Sequence, residues 1–69
     1  MMTESQMLAL CRSLGVGQTL SLTTAEAKAI FGSSEAPDAL LFLRRSLGDV
    51  VAGRLDVYDA DGITITRRT

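Results

Sequence analysis

A short acidic stretch, DVYDADG, holds the carboxylates whose spacing comes nearest to a metal site. Asp59, Asp61 and Gly62 match part of an EF-hand calcium loop, which needs oxygen ligands at positions 1, 3 and 5 and a bidentate Glu at position 12. With Gly62 at position 6, position 1 is Val57 and position 12 is Arg68. Because neither side chain is a calcium ligand, the stretch predicts a turn between two strands and no metal site.

The other reactive residue types predict no catalytic centre. The chain has one cysteine and no histidine, so it lacks an internal disulfide and a histidine general base. We interpret Cys11 as a small buried hydrophobic residue, since a single thiol cannot form a structural zinc site. The GVG segment at 15–17 follows a helix and precedes a strand, the reverse of a phosphate-binding loop. We therefore expect a protein that is not an enzyme and needs no cofactor or metal.

The overall charge is nearly balanced. Seven basic and eight acidic residues give a net charge of −1, with two basic and four acidic residues in 1–43 and five and four in 44–69. This asymmetry is much weaker than the basic face of a typical nucleic-acid binder. The longest apolar run, residues 39–43, is far shorter than the roughly 20 residues that span a bilayer. The N-terminus has no basic cluster typical of a signal peptide, so we expect a cytoplasmic protein without a membrane segment.

Caps and periodicity predict one α+β domain over residues 1–69. Thr3 with Gln6, and Thr23 with Glu26, have the capping-box spacing that starts a helix. The apolar face expected for the first helix consists of Met7, Leu10, Cys11 and Leu14. The glycines expected to end the helices are Gly15, Gly32 and Gly48. The predicted elements are a helix at about 3–14, a strand at 18–22, helices at 24–31 and 35–47, and a hairpin at 54–67.

The C-terminal hairpin allows two registers. A two-residue loop places Tyr58 opposite Ile65, whereas a three-residue loop at 60–62 places Val57 opposite Ile65. The second register pairs two apolar side chains and puts Gly62 at the left-handed bulge position. We therefore favour the three-residue loop.

The order helix, strand, helix, helix, strand, strand, together with the segment LTTAEAKAIFGSSEAPDALLFLRRSL, resembles the winged helix-turn-helix family. The resemblance extends from Thr3 to Arg68 and rests on element order, without a diagnostic motif. It implies a small α-β-α-α-β-β fold, in which the third helix is the recognition helix and the final hairpin is the wing. Winged helices serve as DNA readers and as protein-interaction modules, so the resemblance implies either function.

The exposed face of the third helix separates these two functions. At 100° per residue, its core side holds Ala36, Leu40, Leu43, Leu47 and Val50, with Ala39 at the edge. The other side holds Glu35, Asp38, Leu41, Phe42, Arg45, Ser46 and Asp49, with Arg44 on its flank. Three of these seven residues are acidic and one is basic, a composition that disfavours phosphate contacts. Two further carboxylates, Asp59 and Asp61, lie at the predicted tip of the wing.

We therefore predict a small non-enzymatic protein that binds a protein partner, either as a regulatory subunit or as an inhibitor of the sort that phages make against host machinery. Leu41 and Phe42 would anchor the partner and Arg44 and Arg45 would form the rim. From the pattern alone, the two apolar residues fit a core position, a homodimer seam or a docking patch. A homodimer would also add buried area to a chain too short for a large core.

Two other functions stay open. The first is a sequence-specific DNA-binding transcriptional regulator, whose nucleic-acid contacts would be Arg44, Arg45, Ser46, Arg54, Arg67 and Arg68. The second is a structural subunit of a larger assembly.

Overall fold

The computed structural model describes residues 1–69 as four helices and a three-stranded antiparallel sheet. The helices are α1 (Glu4–Ser13), α2 (Thr24–Phe31), α3 (Ala36–Leu47) and α4 (Asp49–Ala52). The strands are β1 (Thr19–Leu22), β2 (Leu55–Asp59) and β3 (Ile63–Arg67). The predicted α+β class, the order of the six predicted elements and the C-terminal hairpin are confirmed. The short helix α4 was not predicted.

Capping boxes begin α1 and α2, as their spacing predicts. The Thr3 hydroxyl accepts the Gln6 N–H at 3.2 Å, and Gln6 Oε1 accepts the Thr3 N–H at 2.9 Å. Thr23 and Glu26 make the same reciprocal pair at 3.1 and 3.0 Å. Each pair satisfies backbone N–H groups that the first turn of a helix leaves unpaired. Helix α2 ends at Gly32, whose φ of +77° is left-handed, as expected of a glycine terminator.

The end of α1 differs from the prediction. Gly15 does not adopt a positive φ, and the cap is Leu14, with φ −59° and ψ 129°. The Leu14 carbonyl accepts a hydrogen bond at 2.8 Å from Nη1 of Arg67, which lies 53 positions later. A side chain from the last strand therefore satisfies a carbonyl group at the end of the first helix. Local sequence patterns carry no signal for such a contact.

The sheet has the order β1-β3-β2, with β3 in the centre. Val57 lies opposite Ile65 and Tyr58 opposite Thr64, so the three-residue loop register is confirmed. On the other side of β3, Leu20 pairs with Ile65. Alternate residues of β3 point into the core, and Ile65 is fully buried. Because side chains alternate along a strand, a shift of one residue would turn this buried set toward solvent.

The tip of the hairpin is pressed against the junction between β1 and α2. Gly62 is buried and has a φ of +116°, and the preceding Asp61 has a φ of +46°. A Cβ at Gly62 would collide with the carbonyl oxygen of Leu22 and lie 2.9 Å from the carbonyl carbon of Thr23. Both the conformation and the close approach therefore require glycine. The sequence predicts the conformation but not the approach.

Helix α3 buries a narrower face than its periodicity predicts. Ala39 and Leu43 are fully buried, so Ala39 lies in the core rather than at its edge. Val50, predicted as core, is 72% exposed. The error comes from continuing the helical period through Gly48, whose φ of +89° breaks the helix and starts α4 in a new direction.

The N-terminus of α3 is capped by the hairpin. Ser33 and Ser34 precede the helix, but the N-cap position is Glu35, which makes no side-chain capping bond. Instead, Asp59 Oδ1 accepts the Ala36 N–H at 2.5 Å. Ser33 Oγ accepts the Glu35 N–H at 3.0 Å and shapes the turn before the helix. A carboxylate at this end also complements the positive end of the helix dipole.

The core lies between the sheet and the helices and contains no buried polar side chain. Its ten residues are Met7, Cys11, Leu22, Ala27, Ala39, Leu43, Ala52, Leu55, Ile63 and Ile65. Three of the ten are alanines, so these positions add little volume to the core. None of the four helices combines the length and apolar character that a membrane span requires.

Candidate functional site

The exposed side of α3 presents one apolar side chain between opposite charges. Leu41 is 46% exposed, Asp38 lies three residues before it, and Arg44 and Arg45 lie three and four residues after it. Residues at these spacings are neighbours on a helix surface. All four side chains are exposed, and none of the three charged ones makes an ion pair or hydrogen bond within the chain. We call Asp38, Leu41, Arg44 and Arg45 the α3 surface.

Phe42 does not belong to this exposed surface, although the periodicity placed it there. The residue is partly buried and packs against the core. Its ring meets that of Phe31 edge to face, with centroids 5.2 Å apart and planes at 70°. Such aromatic pairs contribute about 0.5–1.5 kcal/mol beyond the burial of their area. Phe42 therefore fastens α3 to α2, and of the two predicted anchors only Leu41 belongs to the α3 surface.

The six residues predicted to contact nucleic acid do not lie together on one element. Arg44, Arg45 and Ser46 are exposed on α3, as predicted. Arg54 lies in the turn between α4 and β2, Arg67 ends β3, and Arg68 follows it. Arg68 makes the one ion pair of the structure, at 2.8 Å to Asp56, and its guanidinium also donates to the Gly53 carbonyl. This arginine fastens the chain end to β2 and the turn before it.

A small cleft brings three arginines together. Its lining consists of Cys11, Arg12, Val51, Arg54, Leu55 and Arg67, and its volume is about 130 Å³. None of these six residues is acidic. The three cations come from the last turn of α1, the turn before β2 and the end of β3. We call this feature the arginine cleft.

Arg12 is the residue of the cleft that the sequence did not identify. It lies in the last turn of α1, where a cation complements the helix dipole, a common position with an ordinary explanation. Arg54 and Arg67 were predicted as alternative nucleic-acid contacts, yet nothing in the sequence places them beside Arg12. The three arginines become neighbours only because the fold brings the end of α1 beside the turn before β2 and the end of β3.

Cys11 lines the arginine cleft and is a buried thiol. Burial raises the pKa of its thiol to about 11, and the nearby Arg12 guanidinium opposes that shift only in part. The thiol therefore stays protonated near neutral pH, whereas the thiolate is the reactive species. Its Sγ lies 3.6 Å from the sulfur of Met7, with both residues buried. This supports the interpretation of Cys11 as a small core residue.

The N-terminal arm forms a second, apolar depression on α1. It is lined by Met1, Met2, Gln6, Ala9 and Leu10 and is broad and open, with a volume of about 550 Å³. Leu10, expected on the buried face of α1, is 43% exposed here. Glu26 holds the arm in place, since its Oε2 accepts the Met2 N–H at 2.9 Å.

The structure brings no three carboxylate or thiol groups close enough to hold a metal ion. Its two charged features differ in chemistry: the α3 surface mixes both signs of charge around an apolar side chain, and the arginine cleft carries only positive charge. Comparisons of the chain with protein-family models, with curated proteins and with solved structures find no match.

Proposed function

We propose that this chain is a small non-enzymatic regulatory or inhibitory protein that binds another polypeptide through the α3 surface. One observation carries the proposal: Leu41 is an exposed leucine at the centre of a helix face, with a carboxylate one turn before it and two guanidiniums one turn after it. An apolar centre with a charged rim is the usual anatomy of a protein interface.

The scaffold we propose for this binding is winged-helix-like. The element order and the terminal hairpin are those that the resemblance implies, and α4 is an addition between the third helix and the hairpin. In this reading α3 corresponds to the recognition helix. Winged helices serve as protein-interaction modules as well as DNA readers, and inhibitors of host machinery are one role for such a domain.

The partner surface must complement charge as well as cover Leu41. It should place an acidic group against Arg44 and Arg45 and a basic group against Asp38. A second copy of α3, antiparallel and crossing at Leu41, meets both requirements, because Asp38 then faces Arg44 of the other copy. A two-fold interface of this kind is self-complementary. We therefore propose the homodimer as the first partner to test.

The test compares two leucines of nearly equal exposure. Leu41→Gln removes the apolar centre of the α3 surface, and Leu10→Gln does the same on α1; the two side chains are 46% and 43% exposed. Glutamine preserves helix propensity and side-chain length. Sedimentation at several concentrations, and capture from extract of the native host after nuclease treatment, should both weaken for Leu41→Gln alone. The proposal is wrong if wild type neither self-associates nor captures a protein in a manner that depends on Leu41.

A charge exchange separates self-association from binding of a different protein. Asp38→Arg and Arg44→Asp should each weaken a homodimer, whereas the double variant should restore it, because the exchanged charges again face each other. A different partner would lose binding to all three variants. Double-variant recovery of this kind measures the pairwise interaction itself.

The alternative is a sequence-specific DNA-binding transcriptional regulator, favoured by the exposure of Arg44, Arg45 and Ser46 on α3. Asp38 on the same face opposes it, since phosphates would be repelled there. A mobility-shift assay with a random duplex library at two salt concentrations distinguishes the two. Binding that weakens steeply with salt and is lost in Arg44→Gln/Arg45→Gln would replace the protein-binding proposal.

A further inference from the structure

The arginine cleft gathers three positive charges in a chain whose net charge is slightly negative. The chain carries eight acidic residues and a net charge of −1, yet no acidic residue lines the cleft. The side chains of Arg12 and Arg54 make no hydrogen bond or ion pair within the chain. Three like charges around one concavity repel each other, and no acidic side chain of the cleft lining offsets that repulsion.

Arg67 is held in place at the edge of this cleft. Its Nη1 donates to the Leu14 carbonyl at 2.8 Å and its Nε donates to the Thr69 carbonyl at 2.9 Å. A guanidinium has five N–H donors, so three remain for a ligand. The contact to the Leu14 backbone carbonyl fixes the group without neutralising its charge. A cation that the fold has already positioned loses less side-chain entropy when it binds an anion.

The size and walls of the cleft fit a small ligand. Its volume of about 130 Å³ exceeds the roughly 10–15 Å³ that one water requires and falls below the roughly 300 Å³ at which pockets for drug-sized molecules begin. Val51 and Leu55 supply apolar walls, and the Cys11 thiol contributes no charge at neutral pH. Beside such walls the attraction between a guanidinium and an anion is stronger than in open water.

We propose that the arginine cleft binds a single phosphate group of a small molecule, with Arg12, Arg54 and Arg67 as its ligands. Guanidinium forks match the oxygens of phosphate in a bidentate manner. A phosphate monoester carries a charge of about −1.5 to −2 at pH 7, which offsets three cations better than the single charge of a carboxylate. The site does not involve the α3 surface, so the phosphate-binding proposal and the protein-binding proposal can be tested independently.

The experiment is a ¹H–¹⁵N NMR titration of the full chain with inorganic phosphate, matched at each point by sodium chloride of equal ionic strength. We expect saturable shifts in the Nε–Hε signals of Arg12, Arg54 and Arg67, and none beyond the salt control in Arg44 or Arg45. Shifts that do not saturate, or that sodium chloride reproduces, would overturn the proposal. So would equal shifts in all the arginines.

Two variants test the assignment without disturbing the fold. Arg12→Gln and Arg54→Gln each remove one cation that has no partner within the chain, and each should weaken phosphate binding about tenfold, as loss of a charge-assisted hydrogen bond does. Arg44→Gln is the matched control on α3 and should bind as wild type. Arg67 is left unchanged because its side chain also holds α1. Unchanged affinity in both cleft variants would contradict the assignment.

Two further titrations identify the source of the phosphate. If glycerol 3-phosphate binds more tightly than inorganic phosphate, the natural ligand is a phosphate ester, whereas equal affinities indicate free phosphate. A short single-stranded DNA is the third probe. If it binds the same arginines more tightly than either small molecule, the small-molecule assignment is wrong and the cleft is a nucleic-acid contact.

Discussion

The α3 surface and the arginine cleft both expose arginines, but they differ in what surrounds the charge. On α3, Arg44 and Arg45 share one helix face with Asp38 and the exposed Leu41. In the cleft, Arg12, Arg54 and Arg67 surround a concavity that has no acidic residue. A mixed surface suits a partner that is itself mixed, such as another protein. A concavity of one sign suits a small anion.

The two features also differ in how the chain builds them. The α3 surface is local, since Asp38, Leu41 and Arg45 are one turn apart on a single helix. The cleft is assembled from three elements that are distant in sequence and depends on the seating of the hairpin. A change that loosens the hairpin should therefore damage the cleft and leave the order of side chains along α3 intact. Three substitutions probe the contacts that hold these elements together, from the largest expected loss of stability to the smallest.

Gly62→Ala should have the largest effect on the stability of the fold. An alanine at position 62 would have to adopt a positive φ, and its Cβ would collide with the Leu22 carbonyl oxygen. We therefore expect a loss of about 3 kcal/mol or more in the free energy of unfolding. A domain of this size has about 3–10 kcal/mol in total, so much of the fold would be lost. Chemical denaturation followed by circular dichroism measures the change.

Gly17→Ala is the matched control for this prediction. Gly17 also has a positive φ, +85°, but a Cβ there would meet no atom within 4 Å. We expect a loss of only about 1–2 kcal/mol, the cost of a left-handed conformation for alanine. Equal losses in the two variants would show that conformation alone, and not the contact with β1, determines the need for glycine at the hairpin tip.

The sequence predicts the parts of this molecule that depend on neighbours along the chain. Both capping boxes, the end of α2 at Gly32 and the pairing of Val57 with Ile65 follow from local spacing, and the structure has each of them. The exposed positions of Leu41 and Arg45 also follow from helical period. These features need no knowledge of how the elements pack.

The main errors lie where the chain changes direction or where elements pack together. Val50 continues the apolar period of α3 but follows Gly48, which turns the chain, and so it is exposed. Phe42 faces sideways toward Phe31, a contact between two helices that periodicity cannot indicate. The arginine cleft was not predicted either, because only tertiary structure brings Arg12 and Arg54 together.

Asp59→Ala should have an intermediate effect on stability. This residue links the hairpin to the start of α3. Its carboxylate lies at the end of β2 and accepts the N–H of Ala36 at the start of α3. Loss of a helix cap costs about 0.5–2 kcal/mol, and we expect about 1 kcal/mol in urea denaturation. Hydrogen exchange should accelerate first at the N-terminal turn of α3.

Two milder substitutions separate the hydrogen bond of Asp59 from its charge. Asp59→Asn keeps an oxygen acceptor and should lose only part of the stability, whereas Asp61→Asn removes the neighbouring tip charge, which makes no hydrogen bond, and should change little. If Asp61→Asn were as damaging as Asp59→Ala, a general charge effect at the tip would replace the specific cap.

Glu26→Gln should have the smallest effect on stability and should leave the α3 surface and the arginine cleft unchanged. Hydrogen bonds from the Thr23 N–H, and then from the Met2 N–H, hold the pKa of Glu26 below its usual value. A carboxyl group with a lower pKa in the folded chain binds fewer protons there than in the unfolded chain. It therefore stabilises the fold above its unfolded pKa of about 4.3, and this contribution disappears as the pH falls through the lowered folded pKa.

We accordingly expect wild type to lose stability in acid by more than Glu26→Gln does, with the difference confined to pH values below about 5. Glu4→Gln is the control, because Glu4 is an exposed carboxylate without a side-chain hydrogen bond. Denaturation at a series of pH values measures the difference, and signals of Met1 and Met2 should sharpen as the arm detaches. Because Glu26 lies outside the cleft and the α3 surface, phosphate binding by Glu26→Gln at neutral pH should equal that of wild type. A weaker phosphate affinity in this variant would mean that the N-terminal arm supports the cleft through α1, and the two regions would then not be independent.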